Sequence, residues 1–147
     1  MQKERYKTGA FVSLILKRGS EVLLIRRFNT GCEDGMYGCA GGGLEAHEPV
    51  TQAVVREAEE ELGIKVNKET LKTVHVVHRR NDLGQEMVGF FIEATEWQGE
   101  PRNMEPHKCD DLQWFNINAL PDNCQPTFKH VVAMLKNDVF FSEMGWE

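Results

Sequence analysis

The chain has 147 residues, 41% of them hydrophobic, and a net charge of −6. That size suits one domain with a core of its own, expected to span residues 1–147, and the acidic balance argues against general nucleic-acid binding, which needs clustered Lys and Arg. No apolar run approaches the roughly 18 residues of a membrane-spanning helix, so a membrane is not expected as a partner.

The N-terminus, Met1 to Arg5, is charged and is not followed by a signal-peptide pattern, because the apolar run Ala10–Leu16 is interrupted by Ser13 and reads better as a strand. Glu21–Arg27 is a second β-rich run, and Lys17-Arg18-Gly19-Ser20 between them reads as a hairpin turn. Phe28–Gly35 is a polar loop. Met36–Leu44 is glycine-rich, and Gly41-Gly42-Gly43 permits backbone approaches that a side chain would forbid. Pro49 then marks the entry to a helix from about Val50 to Leu62, with Gly63 as its C′ residue.

Leu71–Arg79 and Glu86–Thr95 read as strands around the turn Asn81-Asp82-Leu83-Gly84, and Asp111–Phe115 as a short strand. Thr127–Lys136 has helical spacing through Phe128, Val131, Val132 and Leu135. The tail carries Phe140, Phe141, Met144 and Trp146, which read as packing residues. Strands on both sides of a central helix, with a second helix near the end, imply a mixed sheet covered by helices on both faces. Cys32, Cys39, Cys109 and Cys124 show no CxxC or zinc-type spacing. They read as reduced thiols of a cytoplasmic protein.

The chemistry is concentrated between Gly42 and Ile64. Gly42 is followed after five residues by Glu48, and after seven more by Arg56-Glu57-Ala58, then Glu60-Glu61 and Gly63-Ile64. At ordinary residue frequencies the polar and glycine positions would coincide with odds on the order of one in a million per chain. At 100° per residue, Val54, Val55, Ala58 and Leu62 form an apolar stripe that should pack on the sheet. Glu57, Glu60 and Glu61 fall on one arc beside it, while Glu59 and Gln52 point to solvent. Like charges on one arc repel, and a cation would relieve them. A solvated acidic face explains a Glu-rich helix in general, but not Gly42, Glu48 and Arg56 at these offsets. Carboxylates are the hard ligands preferred by Mg²⁺, with Mn²⁺ as substitute.

This pattern resembles the Nudix box, GX5EX7REUXEEXGU with U aliphatic, and every defining position is filled. The resemblance implies a three-layer α/β/α sandwich with a mixed central sheet. It implies that Glu57 and Glu61 are the core metal ligands, joined by a box-glycine carbonyl (Gly42 or Gly43), with Glu60 as a further ligand or base. Arg56 would orient the carboxylates, and Glu48 would support the loop–helix junction. The metal would polarise phosphoryl oxygens, activate water and neutralise the leaving diphosphate.

Outside the box, Arg26-Arg27 ends the second strand as in MutT-like members, where the second arginine contacts substrate phosphate. Trp97-Gln98-Gly99-Glu100-Pro101 through Glu105 resembles the W-x-G-x-P…E stretch of the same group. Glu105 is therefore a candidate ligand or general base. It competes for the latter role with Glu60, which is held on the helix beside Arg56; the loop residue is favoured. Trp114-Phe115…Leu120-Pro121 is also MutT-like, and Asn123 is the nearest equivalent of the base-reading asparagine, one position out of register. His75, His78, Arg79 and Arg80 cluster on one strand. Alternation places the two histidines on opposite faces, so they do not form one metal pair; one of them, or Arg79, would line the substrate cleft. The chain departs from the family in reading Tyr37-Gly38-Cys39-Ala40-Gly41-Gly42 where many members have W-x-x-P-G-G, which bears on loop and pocket geometry.

Sub-signatures narrow the substrate. The proline typical of ADP-ribose hydrolases and the tyrosine of dinucleoside polyphosphate enzymes are absent from their expected places, and so is the NADH-type SQPWPxS. What remains is a MutT-like nucleoside triphosphate diphosphohydrolase, converting NTP to NMP plus diphosphate. The alternatives are a Nudix hydrolase of another nucleotide derivative, a diphosphate isomerase, or a non-catalytic nucleotide-binding regulatory module. The partners expected are a small nucleotide-type molecule and, as the macromolecular partner to test for, a second copy of the chain.

Overall fold

The first two strands form the hairpin their alternation predicts. β1 (Gly9–Arg18) and β2 (Glu21–Arg27) pair antiparallel through Lys17 with Val22 and Arg18 with Glu21. Gly19 turns the chain at φ 61°, which suits a residue without a Cβ. The protein is described by a computed structural model covering residues 3–147; Met1 and Gln2, the start of the charged N-terminal stretch, lie outside the described residues.

The glycine-rich segment supplies two short strands, β3 (Tyr37–Gly38) and β4 (Ala40–Gly43). Helix α1 (Val50–Glu57) follows and continues as a π-helical turn, Ala58–Leu62. β5 (Lys65–Val66) and a 3₁₀ turn (Lys68–Thr70) lead to the long antiparallel pair β6 (Lys72–Arg80) and β7 (Glu86–Ala94). β8 (Trp97–Gln98) pairs with β5 in a separate two-stranded sheet. β9 (Cys109–Asn116), α2 (Pro126–Lys136) and β10 (Phe141–Met144) complete the chain.

The main sheet runs β10-β6-β7-β1-β2-β3, with β4 also paired to β1 and β9 to β2. β1 is parallel to β7 and β10 to β6, and the other pairings are antiparallel, so the sheet is mixed. Alternation along β1 sends side chains to both faces. Val12, Leu14 and Leu16 pack with Val54, Ala58 and Leu62 of the box helix, whereas Ile15 packs with Phe128, Val131 and Val132 of α2. Removing the Leu62 side chain to Ala should cost about 2–5 kcal/mol, because the residue is fully enclosed. The result is the expected three layers, helix–sheet–helix.

The short strands β3, β4, β5 and β8 were not foreseen, and two further features differ from expectation. The box helix has the predicted extent and ends as predicted, at Gly63 with φ 67°, but its last turn is π rather than α. The extra residue per turn lets Leu62 stay in the core while the turn widens. The tail aromatics do more than pack, since Phe141–Met144 forms the parallel edge strand β10, leaving Phe140 and Phe141 more than half exposed. His75 and His78 do face opposite ways. His75 is fully buried, and His78 stacks against Trp146 with ring centroids 4.6 Å apart.

Candidate active site

Arg56 is the hub of the box. Its guanidinium grips Glu48 through two hydrogen bonds, Nε to Oε2 at 2.7 Å and Nη2 to Oε1 at 3.0 Å. Nη1 donates to Glu57 Oε1 at 2.8 Å and to Glu60 Oε2 at 3.2 Å, and Nη2 also reaches the Gly43 carbonyl at 3.2 Å. The fork geometry suits a planar guanidinium and ties helix, preceding loop and glycine strand together. Glu48 is held below the usual carboxylate range, first by its Arg56 hydrogen bonds, and its Oε1 accepts the Glu45 backbone N–H at 3.1 Å. Its place is therefore the loop–helix junction.

β4 passes directly under the two carboxylates that matter most. The Gly41 N–H donates to Glu61 Oε1 at 2.9 Å. A Cβ on Gly42 would lie 2.6 Å from Glu57 Oε1, and one on Gly41 would lie 2.0 Å from the Val12 carbonyl. The glycines are thus required by close approach on both sides of β4. Glu57 is 8% exposed. Burial and the hydrogen bond with Glu57 push the Glu61 carboxyl up to about 9, against the opposing Gly41 N–H.

Such a pair fits a divalent cation. Two carboxyl groups, one buried and one partly buried, present hard oxygen donors side by side next to the glycine strand. Glu57 and Glu61 are the residues that could hold a divalent cation there. Among the described residues, no three His, Cys, Asp or Glu side chains already converge on one point as a ligand set. Glu60 lies at the solvent rim, its side chain 53% exposed and paired with Arg56.

Glu105 faces the same cavity, which has a volume of about 290 Å³ and is also lined by Glu57, Glu60 and Glu61. Its loop is fastened to the helix end, since the Arg102 and Met104 N–H groups donate to the Leu62 and Glu61 carbonyls at 3.0 and 3.2 Å. These carbonyls would otherwise be orphaned at a helix terminus. Asn103 braces the loop from within, donating to the Cys109 carbonyl at 2.7 Å and accepting the Glu105 N–H at 3.0 Å. Sequence reasoning passed over Asn103, although an asparagine between Pro101 and Glu105 is a turn signal.

A second cavity of about 310 Å³ adjoins the first, and Ile25, Arg27, Gly41, Gly42 and Glu61 line both. The carboxylate end and the deeper end thus form one continuous cleft with Arg27 at the junction. Arg27 also anchors the loop that follows it, donating from Nε to the Cys32 carbonyl at 2.7 Å and from Nη2 to Thr30 Oγ1 at 3.2 Å. Arg79 lines the deeper cavity and, among the described residues, forms no ion pair. Asn123 does not line the cleft. Its amide donates to the Gly35 carbonyl at 2.9 Å and its own carbonyl accepts the Tyr37 N–H, so it serves as a loop brace. Gln125, two residues on, does line the cleft, as do Asn81 and Gln85, and no local signal marked it.

The profile of the NUDIX domain matches residues 6–135. A protein named NAD-capped RNA hydrolase NudC from Pseudomonas aeruginosa (strain LESB58) is 36% identical over 111 residues, which is 74% of this chain and 36% of that protein. The chain therefore spans about a third of the length of the curated relatives it matches. Among solved structures, a MutT NUDIX hydrolase from Burkholderia pseudomallei superposes with a TM-score of 0.80 at 30% identity, covering 87% of this chain and 98% of that one. A MutT protein from Bacillus halodurans, 23% identical, shares the fold with a TM-score of 0.72, covering 92% of this chain and 89% of its own. Among the described residues, no helix is long and apolar enough to cross a membrane. With the box, its geometry and these relatives in agreement, the chain belongs to the Nudix hydrolase family and is MutT-like.

Proposed function

We propose that this chain is a single-domain, Mg²⁺- or Mn²⁺-dependent hydrolase that splits the diphosphate linkage of a nucleotide, converting a nucleoside triphosphate to the monophosphate and diphosphate. The observation that carries this is the continuous cleft. One end holds Glu57, Glu61 and Glu105, the junction holds Arg27, and the deeper end holds Arg79 and an apolar wall. A phosphate chain at the junction would place its bridging oxygens over β4, with the rest of the nucleotide in the deeper cavity.

The chemistry supplied there by Mg²⁺ or Mn²⁺, when bound, is polarisation of phosphoryl oxygens and activation of water. The chain's own residues do the rest. Arg56 fixes the directions of Glu48 and Glu57, Arg27 offers its unused N–H groups to phosphate, and Glu105 stands where it can take a proton from attacking water. Glu60 is the competing base. We place the protein in the cytoplasm, where its four free thiols stay reduced. A homodimer is the oligomer to test for, by light scattering.

The relatives named for NAD-capped RNA favour a second substrate, a dinucleotide cleaved at the same linkage, although the chain lacks SQPWPxS. A Mg²⁺-supplemented screen of nucleoside triphosphates and NAD-type dinucleotides, read by product mass, decides between them. Turnover without phosphate or diphosphate release would indicate an isomerase, and binding without turnover a regulatory module.

A further inference from the structure

Glu33 stands out in a cleft built for a polyanion. It sits on the loop after β2 with a left-handed backbone (φ 51°), lines the deeper cavity, and accepts a 2.7 Å hydrogen bond from Gln125 Nε2. Gln125 is itself fixed, since its N–H donates to the Tyr37 carbonyl at 2.7 Å and its carbonyl accepts the Lys129 N–H at 3.1 Å. Its amide oxygen lies over Gly38, where a Cβ would come within 1.9 Å. Gly38 lies in the stretch that departs from the family's usual W-x-x-P-G-G. The missing side chain there makes room for Gln125, and Gln125 in turn positions Glu33.

A carboxylate repels phosphate, so Glu33 serves such a cleft only if it faces the neutral part of the substrate. There it acts purely as an acceptor: one oxygen is used by Gln125, and the other has no partner among the described residues. The same cavity is lined by apolar side chains, among them Phe11, whose ring packs so closely on Gly89 that a Cβ there would meet it at 2.3 Å. A flat heterocycle seated against Phe11 would turn an edge toward Glu33.

We propose that Glu33, positioned by Gln125 over Gly38, is a specificity-determining residue that selects nucleotides whose base carries an exocyclic amino group. The amino N–H would donate to the free carboxylate oxygen. A carbonyl in its place would set oxygen against carboxylate and leave the acceptor unpaired, a discrimination of about tenfold or more. This inference rests on the nucleotide-hydrolase reading above.

The test compares kcat/KM within matched pairs: CTP against UTP, ATP against ITP, and GTP against ITP. The amino member should be favoured by about tenfold or more in each pair that is turned over. Glu33→Ala, an exposed loop change, should reduce that ratio at least fivefold. Gly38→Ala, which displaces Gln125 without altering charge, should move it in the same direction. Pairs hydrolysed equally by the unaltered protein, or a preference that survives Glu33→Ala, overturn the inference and leave the hydrolase reading standing. Absence of hydrolysis of all five nucleotides overturns the nucleoside triphosphate reading and this inference with it.

Discussion

The Met104 N–H donates to the carbonyl of Glu61 at 3.2 Å, joining the loop that carries Glu105 to the π turn that carries Glu61. Two acids more than forty positions apart thereby share one rigid frame. Asn103 completes it, so Asn103→Ala should loosen Glu105 without touching the helix carboxylates. We expect a stability loss of about 1–2 kcal/mol from the missing hydrogen bonds. We also expect a fall in kcat with KM nearly unchanged. Urea denaturation and steady-state kinetics check this, and unchanged kcat would show that the loop needs no such brace.

Metal dependence follows from the carboxylate pair. Chelation by EDTA should abolish activity, and added Mg²⁺ or Mn²⁺ should restore it. Glu61→Gln should lower kcat on the order of 10³-fold or more. Its thermal midpoint should stay level or rise, because a neutral amide removes the cost of burying a second carboxyl group beside Glu57, the cost that raises the Glu61 pKa. Glu59→Gln, on the exposed side of the same turn, should change almost nothing. Equal losses from both variants would contradict the orientation of the helix.

Much of this arrangement was legible from local pattern. The extents of β1, β2, β6, β7 and, approximately, β9 followed from their apolar, β-rich runs, and the directions of Glu57, Glu59 and Glu61 from helical spacing with Gly63 as the stop. The π turn was not legible, because what distinguishes it from an α turn is how Ala58, Leu62 and Ile64 seat in the core, not their spacing. β10 escaped notice because four residues carry little periodicity and its partner β6 lies more than sixty positions away. Gln125 and Glu33 are separated by 92 positions, and only the fold brings them together. Asn123 illustrates the opposite error: a resemblance one position out of register pointed to the residue that braces the loop, while Gln125 lines the cleft.

Gly42 tests the close approach of β4 to the helix. A methyl group there would meet Glu57 Oε1 at 2.6 Å, and Arg56 restricts where that carboxylate can go. Gly42→Ala should therefore fold but bind Mn²⁺ at least about tenfold more weakly, with kcat falling in parallel. Paramagnetic resonance of free Mn²⁺ measures the affinity directly. Unaltered Mn²⁺ binding would show that Glu57 is not held where a ligand must be.

The choice of general base can be made with two substitutions. Glu105→Gln should lower kcat by about 10²–10⁴-fold while metal affinity stays within a few-fold, as expected for a proton acceptor rather than a ligand. Glu60→Gln, at the exposed rim, should cost far less. Collapse of metal binding in Glu105→Gln would make Glu105 a ligand instead. A larger loss from Glu60→Gln would transfer the role to the helix.

Stability should also depend on pH, through a histidine on the far side of β6 from the box helix. His75 is fully enclosed between β6 and the C-terminal segment; its Nδ1–H donates to the Val139 carbonyl at 2.9 Å and its Nε2 accepts from Ser142 Oγ at 2.8 Å. His130 Nε2 reaches the same hydroxyl at 2.9 Å. Burial lowers the pKa of His75 below its ordinary value of 6.5. The unfolded chain then binds the proton more readily than the folded one, so unfolding free energy rises with pH across this range. The contribution is fully present above about pH 6.5 and is lost as the pH falls toward the lowered value. Protonation would force Nε2 to donate as well, breaking the bond it accepts from Ser142 and loosening β10. Urea midpoints measured from pH 8 down to pH 5 should fall, and the fall should be shallower in His75→Gln. Identical slopes in the two proteins would remove His75 as the group responsible.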